Sequence, residues 1–161
     1  MWLAITGAQD RIAIATPYFT PDRDIREALM EAAQRGVGVE LLMPGPYTDA
    51  KLIQAATRAY YEDLLTAGVR IFEYQPGRFH EKTLTADGHW SIVGSANMDN
   101  RSATLNVENV FFVEDHKLAA ALEREFALGK GRANEVTLEN FNPNPLQRLY
   151  YNAARIFAKQ H

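Results

Sequence analysis

The chain has 161 residues, of which 47% are hydrophobic, 23% charged and 11% aromatic, a composition typical of one globular domain and unlike that of disordered or coiled-coil chains. It contains no cysteine, which excludes disulfides, thiolate metal sites and thiol nucleophiles. The net charge of −3 argues against nucleic acid as a partner, because proteins that bind nucleic acid usually present a basic surface.

Strands and helices alternate over the first half of the chain. Residues 3–8 have the spacing of the last turns of a helix. After them, β-branched runs predict strands and a 3.6-residue apolar period predicts helices. In chain order these elements are strand 11–16, helix 22–35, strand 37–43, helix 49–67 and strand 69–74. Two successive βαβ units predict parallel neighbouring strands with helices on the faces of the sheet.

The second half predicts antiparallel strands followed by two helices. Its strand-like segments are 80–86, 90–93 and 105–113. Asp87 and Gly88 form a hairpin signal between the first two. Asp115 is placed to cap a helix that runs to about residue 128, where a cluster of glycines ends it. We therefore predict a main domain over residues 1–131 and a C-terminal extension over 132–161.

The C-terminal extension is basic and contains an amphipathic helix. Residues 130–161 carry five basic and two acidic side chains, a net charge of +3 that leaves −6 for residues 1–129. The predicted helix, 146–159, has an apolar stripe formed by Leu146, Leu149, Tyr150, Ala153, Ile156 and Phe157. Such a helix lies either in the interface of an anionic membrane or against its own domain. The sequence has no run of about 18 apolar residues, so we expect neither a membrane span nor a signal peptide.

A short segment of the second half has side chains suited to chemistry on phosphate. His80 and Lys82 are two residues apart and therefore project from the same side of a strand. Ser95 ends the next strand, after a glycine that allows close approach to a ligand, and Asn97 follows. The ammonium and amide groups can bind non-bridging phosphate oxygens while the imidazole attacks phosphorus.

The pattern His80-x-Lys82-x4-Asp87, followed by Gly94-Ser95-x-Asn97, resembles the signature of the phospholipase D, or HKD, superfamily. A wider resemblance, to the C-terminal half of bacterial cardiolipin synthases, extends over essentially the whole chain and is carried by segments 16–22, 32–37, 64–69 and 94–102. It implies an α/β fold of the phospholipase D type, an α-β-α sandwich with a mixed central sheet and helices on both faces, followed here by the C-terminal amphipathic helix.

The resemblance also implies a role for each site residue. His80 pairs with the histidine of a second motif; one of the two forms a phosphohistidine and the other protonates the leaving alcohol. Lys82 and Asn97 bind the phosphoryl group, and Ser95 lines the pocket. Glu108 orients the imidazole, although it is also consistent with an ordinary buried carboxylate. The resemblance implies neither a metal ion nor another cofactor.

Other candidate residues have two interpretations each. Asp87 completes the catalytic motif, but its place in an Asp-Gly turn implies a structural role. Tyr18 is a candidate substrate-binding residue that, like Phe19, could belong to the core instead. Arg101 either reaches a phosphate or binds Asp99.

The chain contains one HKD motif. His89, His116 and His161 lack a lysine two residues later, and the first two are predicted surface residues. The chain therefore encodes half of a two-motif site. The second motif is expected either in a preceding N-terminal half, which the start of the sequence inside a helix favours, or in a second copy of the chain in a homodimer.

The expected function is phosphatidyl transfer between two phosphatidylglycerol molecules, giving cardiolipin and glycerol. The expected partners are anionic phospholipid, the second motif and the surface of a bacterial cytoplasmic membrane, to which the chain binds peripherally; nucleic acid is not expected. One alternative is a homodimeric phosphodiesterase or nuclease of the same superfamily. The other is a non-catalytic membrane-binding module.

Overall fold

The computed structural model describes residues 1–99 and 107–158. Strands β1 to β9 are Arg11–Ala15, Phe19–Thr20, Gly38–Pro44, Arg70–Tyr74, Thr83–Ala86, Trp90–Gly94, Met98–Asp99, Val110–Glu114 and Ala133–Val136. Helices α1 to α6 are Trp2–Gly7, Arg23–Gln34, Lys51–Arg58, Tyr61–Thr66, His116–Lys130 and Pro145–Ala158. Arg101, Lys159 and residues 105–106 of a predicted strand lie outside the described residues.

A mixed seven-stranded sheet has the order β8-β6-β5-β1-β3-β4-β9. Strands β1, β3 and β4 are parallel neighbours, which confirms the two predicted βαβ units. Strands β5, β6 and β8 follow as antiparallel neighbours, and the β5–β6 pair is the hairpin that the Asp87-Gly88 signal predicted. A small parallel sheet of β2 and β7 was not predicted, because each of its strands has only two residues.

Helices cover both faces of the sheet. On β1, Ile12 and Ile14 point into the core shared with α1, α2 and α4, whereas Ala13 and Ala15 point to the other face, where Phe126 of α5 packs. This alternation follows from the two-residue period of a strand. The arrangement confirms the expected α-β-α sandwich.

The prediction of one helix over residues 49–67 is wrong, because α3 and α4 are separated at Ala59 and Tyr60. The backbone N–H groups of these two residues bond to carbonyls three residues earlier, which tightens the turn. Adjacent residues of a straight helix point about 100° apart. The break instead lets both Tyr60 and Tyr61 enter the core, where they are 2% and 1% exposed.

Residues beyond 131 contribute to the same sheet, since β9 pairs with β4. Helix α6 packs on α3 through alanines: Ala154 meets Ala55 and Ala56. Tyr151 packs with these alanines, and the other large apolar side chains of the helix are exposed, namely Leu146, Leu149, Tyr150, Ile156 and Phe157. The division of the chain at residue 131 stays a prediction. Of the helices in the described ranges, none has the length and apolar content needed to cross a membrane.

The topology gathers the ends of six strands at one edge of the sheet. The carboxyl ends of parallel β1, β3 and β4 meet there, and the alternating directions of β5, β6 and β8 bring their connecting segments to the same place. We call this the site edge. It carries Tyr18, His80, Lys82, Ser95 and Glu108, and the far ends of these strands form the opposite edge.

Candidate active site

His80 and Lys82 lie in the segment before β5, which begins at Thr83 rather than at residue 80 as predicted. Their side chains nevertheless meet: Lys82 Nζ is 2.9 Å from Nδ1 of the exposed His80. An ammonium group has donors but no acceptor. With a charged Lys82, Nδ1 therefore accepts this bond and Nε2 carries the proton of the neutral ring.

Burial and charge act in opposite directions on Lys82. Burial lowers the pKa of its ammonium group, and the carboxylates of Glu108, Asp99 and Asp49 act to raise it; the net effect is a lowered pKa. Removal from water disfavours the charged form, while nearby negative charges favour it. Lys82 is thus a partly buried cation with three carboxylates near it.

Ser95 holds Glu108 at the site edge. Its hydroxyl donates to a carboxylate oxygen of Glu108 and accepts from the backbone N–H of Asn109 at 3.0 Å. Gly94 makes this possible, because a Cβ there would lie 2.1 Å from the carbonyl oxygen of Asn109. Gly94 thus allows close approach of the neighbouring backbone, and close approach of a ligand stays a prediction.

Asn97 and Glu108 lie at the site edge, and both are half-buried. Asn97 lies between β6 and β7, and Glu108 precedes β8, which begins at Val110 rather than at residue 105. The structure therefore brings both residues to the edge that holds His80. Phosphoryl binding by Asn97 and orientation of the imidazole by Glu108 stay predictions.

Tyr18 and Phe19 have different environments. The Tyr18 ring packs edge-on against the His80 imidazole, with centroids 6.3 Å apart and an interplanar angle of 87°. Phe19 is 1% exposed and belongs to the core. Thr16 fixes the loop between them and β1, because its hydroxyl donates to the Tyr18 carbonyl at 2.9 Å and accepts from the Met98 N–H at 3.4 Å.

Two residues of the site edge, Asp49 and Arg78, were not found from the sequence. The Tyr18 hydroxyl donates to Asp49 Oδ1 at 3.1 Å, and the Arg78 guanidinium donates to Oδ2. Both residues follow parallel strands, β3 and β4, whose carboxyl ends commonly carry functional side chains. Their position after parallel strands could therefore have indicated both residues from the sequence.

Asp87 lies at the opposite edge, separated from His80 by the length of β5. Its carboxylate accepts the backbone N–H groups of Gln9, Asp10 and Arg11 at 2.9, 2.9 and 3.0 Å. Burial acts to raise the pKa of this carboxyl, but the three hydrogen bonds lower it, with a net lowered pKa. Its φ of 52° fits the left-handed turn conformation that Asp tolerates.

His89 and His116 lie at the opposite edge too, with ring centroids 5.6 Å apart. Each Nδ1 is 3.0 Å from a backbone carbonyl oxygen, of Asp87 and of Gly88 respectively. Across residues 1–99 and 107–158, no three His, Asp or Glu side chains are grouped so that they could hold a metal ion.

The sequence matches the family described as "Cardiolipin synthase, PLD-like domain" over residues 2–128. The chain belongs to this family. This PLD-like domain therefore carries the HKD motif of the phospholipase D superfamily, as the sequence resemblance implied, with His80 and Lys82 at the site edge and Asp87 at the opposite edge.

Curated relatives of this PLD-like domain are cardiolipin synthases. The enzyme of Clostridium perfringens strain SM101 is 40% identical over 137 residues, which are 85% of this chain and 29% of that protein. Cardiolipin synthase A of Yersinia pseudotuberculosis (serotype O:1b, strain IP 31758) is 35% identical over 153 residues, covering 92% of this chain and 31% of that protein. The chain thus spans less than a third of the length of these relatives.

Solved structures confirm the fold of this PLD-like domain. Nuc of Salmonella typhimurium, a phospholipase D family member, superimposes with a TM-score of 0.74 at 22% identity, over 84% of this chain and 88% of Nuc. Phosphatidylserine synthase of Haemophilus influenzae Rd KW20 gives a TM-score of 0.74 at 21% identity, over 99% of this chain and 42% of that protein.

Proposed function

We propose that this PLD-like domain is one half of a phosphatidyltransferase that makes cardiolipin and glycerol from two molecules of phosphatidylglycerol. The observation that carries the proposal is the contact between His80 and Lys82 at an exposed sheet edge, in a chain related to cardiolipin synthases. A nucleophilic or acidic imidazole beside a cation is the pair that phosphoryl transfer requires.

The reaction has two displacements at phosphorus. In the first, the Nε2 lone pair of one histidine, His80 or its counterpart on the second motif, attacks the phosphorus of phosphatidylglycerol. The bond from phosphorus to the glycerol oxygen breaks, and the other histidine protonates that oxygen. In the second, a hydroxyl of another phosphatidylglycerol attacks the phosphohistidine, gives its proton to the second histidine and releases the first.

The two roles need different protonation states of His80. In the resting contact with Lys82, Nε2 carries the one proton of the neutral ring; donation to the leaving alcohol requires the imidazolium, with protons on both nitrogens, so that a neutral ring remains. Attack by Nε2 requires the proton on Nδ1 instead. A phosphoryl group that drew the Lys82 ammonium onto its own oxygens would free Nδ1 for this change.

An exposed apolar surface supports the need for a second motif. Val107 is fully exposed and Phe111 is 67% exposed, and they flank the segment that carries Glu108. Large exposed apolar side chains beside a site are typical of an interface. We propose that a second HKD motif, from a preceding half or from a second copy of the chain, covers this surface and completes the site.

The exposed face of α6 supports peripheral attachment to an anionic membrane. Ala154 and Tyr151 pack toward α3, whereas five other large side chains of the helix are exposed. Arg148 pairs with Glu62 and Arg155 lies over the Tyr60 ring, so the support comes from the apolar face. An amphipathic helix with an exposed apolar face can lie in the interface of a membrane.

The test is glycerol release and cardiolipin formation on phosphatidylglycerol vesicles, by the chain alone and by the chain joined to a segment that carries a second motif. We expect His80→Ala to lower turnover by about a hundredfold or more. His116→Ala is the matched control, since this histidine lies at the opposite edge, and it should retain the wild-type rate.

Equal rates for wild type and His80→Ala would contradict the proposal. Hydrolysis of DNA or bis(p-nitrophenyl) phosphate by a dimer, without cardiolipin formation, would favour the phosphodiesterase alternative. Vesicle binding without turnover, unchanged by His80→Ala, would favour the non-catalytic module.

A further inference from the structure

Asp49 joins three loops of the site edge. It follows β3, which lies between β1 and β4 in the sheet. On one side it accepts the hydroxyl of Tyr18, from the loop after β1, at 3.1 Å. On the other side it accepts the guanidinium of Arg78, from the loop after β4.

We propose that Asp49 is a positioning residue of the active site, which acts on His80 through Tyr18 and through Arg78. This inference rests on the proposed function, because it assumes that His80 is the reacting histidine of this half. It assigns a role to a carboxylate outside the HKD motif.

The first connection runs through the Tyr18 ring. That ring packs edge-on against the imidazole, with centroids 6.3 Å apart, a separation at which aromatic rings interact favourably. Because His80 is exposed, few neighbours limit its rotamers, and the Tyr18 ring forms one wall beside it. The hydrogen bond to Asp49 fixes the far end of this wall.

The second connection runs through the backbone. Arg78 precedes His80 by two residues, and Phe79 between them is buried, at 6% exposure. Anchoring the Arg78 side chain on Asp49 therefore holds the chain on one side of His80, while Phe79 holds it in the core. Both constraints act on the segment that positions the imidazole.

The ion pair of Arg78 and Asp49 contributes more to the geometry of the site than to the stability of the fold. The side chains of Arg78 and Asp49 are 71% and 43% exposed, and ion pairs this exposed contribute little to folding. Burial acts to raise the pKa of Asp49, but the hydrogen bonds from Tyr18 and Arg78 lower it, so the carboxylate stays charged at neutral pH. Loss of Asp49 should thus change catalysis without unfolding the domain.

The test compares Asp49→Asn, Tyr18→Phe and the double variant. Glu27→Gln is the matched control, because Glu27 is also 43% exposed and pairs with an exposed arginine, Arg23, on a surface helix. Turnover is measured on phosphatidylglycerol vesicles with the second motif present. The titration and line widths of the His80 ring signals are followed by NMR in the same chain.

We expect Asp49→Asn to lower kcat about tenfold, with KM changed less than twofold and an unchanged melting temperature. The double variant should be no slower than the slower single variant, because both changes break the same connection. The His80 ring signals should change in Asp49→Asn and not in Glu27→Gln.

Additive effects of Asp49→Asn and Tyr18→Phe, or His80 signals unchanged by Asp49→Asn, would overturn the inference. So would a rate loss that only follows a lowered melting temperature. Failure of the wild-type protein to turn over lipid would instead contradict the proposed function, and the NMR comparison would still test the positioning of His80.

Discussion

Lys82 donates to Nδ1 of His80 across 2.9 Å, and burial lowers the pKa of this lysine despite three nearby carboxylates. In the proposed reaction the ammonium form of Lys82 binds the phosphoryl group, and this form is lost as pH rises through the lysine pKa. We therefore expect turnover to decline at alkaline pH, with a midpoint below the ordinary lysine pKa of about 10.4. Turnover measured from pH 6 to 11 checks this.

Lys82→Arg provides the comparison, because a guanidinium stays protonated throughout this range. The variant should be slower at neutral pH, since its planar group does not reproduce the geometry of the ammonium, and it should lose the alkaline limb. An identical limb in both proteins would show that another group titrates there.

Ser95 and Glu108 form a second testable pair. If Glu108 orients the imidazole, Glu108→Gln should lower kcat by about tenfold to a hundredfold. Ser95→Ala should also lower kcat, but by a smaller factor than Glu108→Gln, because it removes only the hydroxyl that holds the carboxylate. Ser95→Thr keeps that hydroxyl and should restore most of the rate. A loss of thermal stability in Ser95→Ala with an unchanged kcat would limit Ser95 to a structural role.

Asp87 should matter for stability rather than for turnover. Asp87→Ala removes the acceptor of three backbone N–H groups, which we expect to cost about 2–4 kcal/mol. Asp22→Ala removes the acceptor of one such group, that of Ile25, and should cost about 1 kcal/mol. Urea unfolding at pH 7 measures both. A rate per folded molecule that falls with Asp87→Ala would reveal a catalytic contribution.

The pH dependence of the Asp87 effect has a definite sign. Its pKa is lower in the folded protein than in the unfolded chain, so its ionisation stabilises the fold above the unfolded value of about 3.9. That contribution is lost as pH falls through the folded pKa. The difference in unfolding free energy between wild type and Asp87→Asn should therefore shrink between pH 5 and strongly acidic pH.

Gly94 should not tolerate a side chain. A Cβ would lie 2.1 Å from a backbone oxygen, and backbone cannot move aside as the end of a flexible side chain can. We expect Gly94→Ala to cost about 2 kcal/mol or more and to displace Ser95 from Glu108. Gly77→Ala, where no atom lies within 4 Å of the added Cβ, should leave the stability unchanged. Thermal unfolding of the two variants and the wild type measures both effects.

The outward face of α6 should carry vesicle binding. Leu149→Glu or Phe157→Glu is expected to weaken binding to phosphatidylglycerol vesicles about tenfold, since each removes one apolar side chain from the interface. Leu128→Glu changes a similarly exposed leucine, 60% against 68% for Leu149, on another helix and should have no effect. Cosedimentation that is equal for all variants would place the lipid contact elsewhere.

Local signals predicted most of the elements. The Asp87-Gly88 turn was predictable because both residues have positive φ, at 52° and 68°, which few residue types adopt. Asp115 was identifiable as a helix cap, and its side chain accepts the Leu118 N–H at 2.7 Å. Each of these features is decided by neighbours in sequence.

Long-range contacts decided the features that were missed. The break between α3 and α4 follows from burying adjacent tyrosines, which helical periodicity alone does not reveal. Asp49 lies 31 residues from Tyr18 and 29 from Arg78, so only the packing of three loops brings these residues together. The HKD motif predicts which side chains react, and it contains no information about the side chains that position them.

The four residues between Lys82 and Asp87 are the whole of β5, Thr83–Ala86. The spacing of the motif is therefore a strand length, about 13 Å at 3.3 Å per residue, which places His80 and Lys82 at one edge and the backbone contacts of Asp87 at the other. Insertion of a single residue into β5 would shift its register by one and turn Leu84 and Thr85 each to the opposite face of the sheet. It would also move either His80 or Asp87 away from its neighbours. The number of residues between Lys82 and Asp87 is therefore set by the length of β5, which runs from one edge of the sheet to the other.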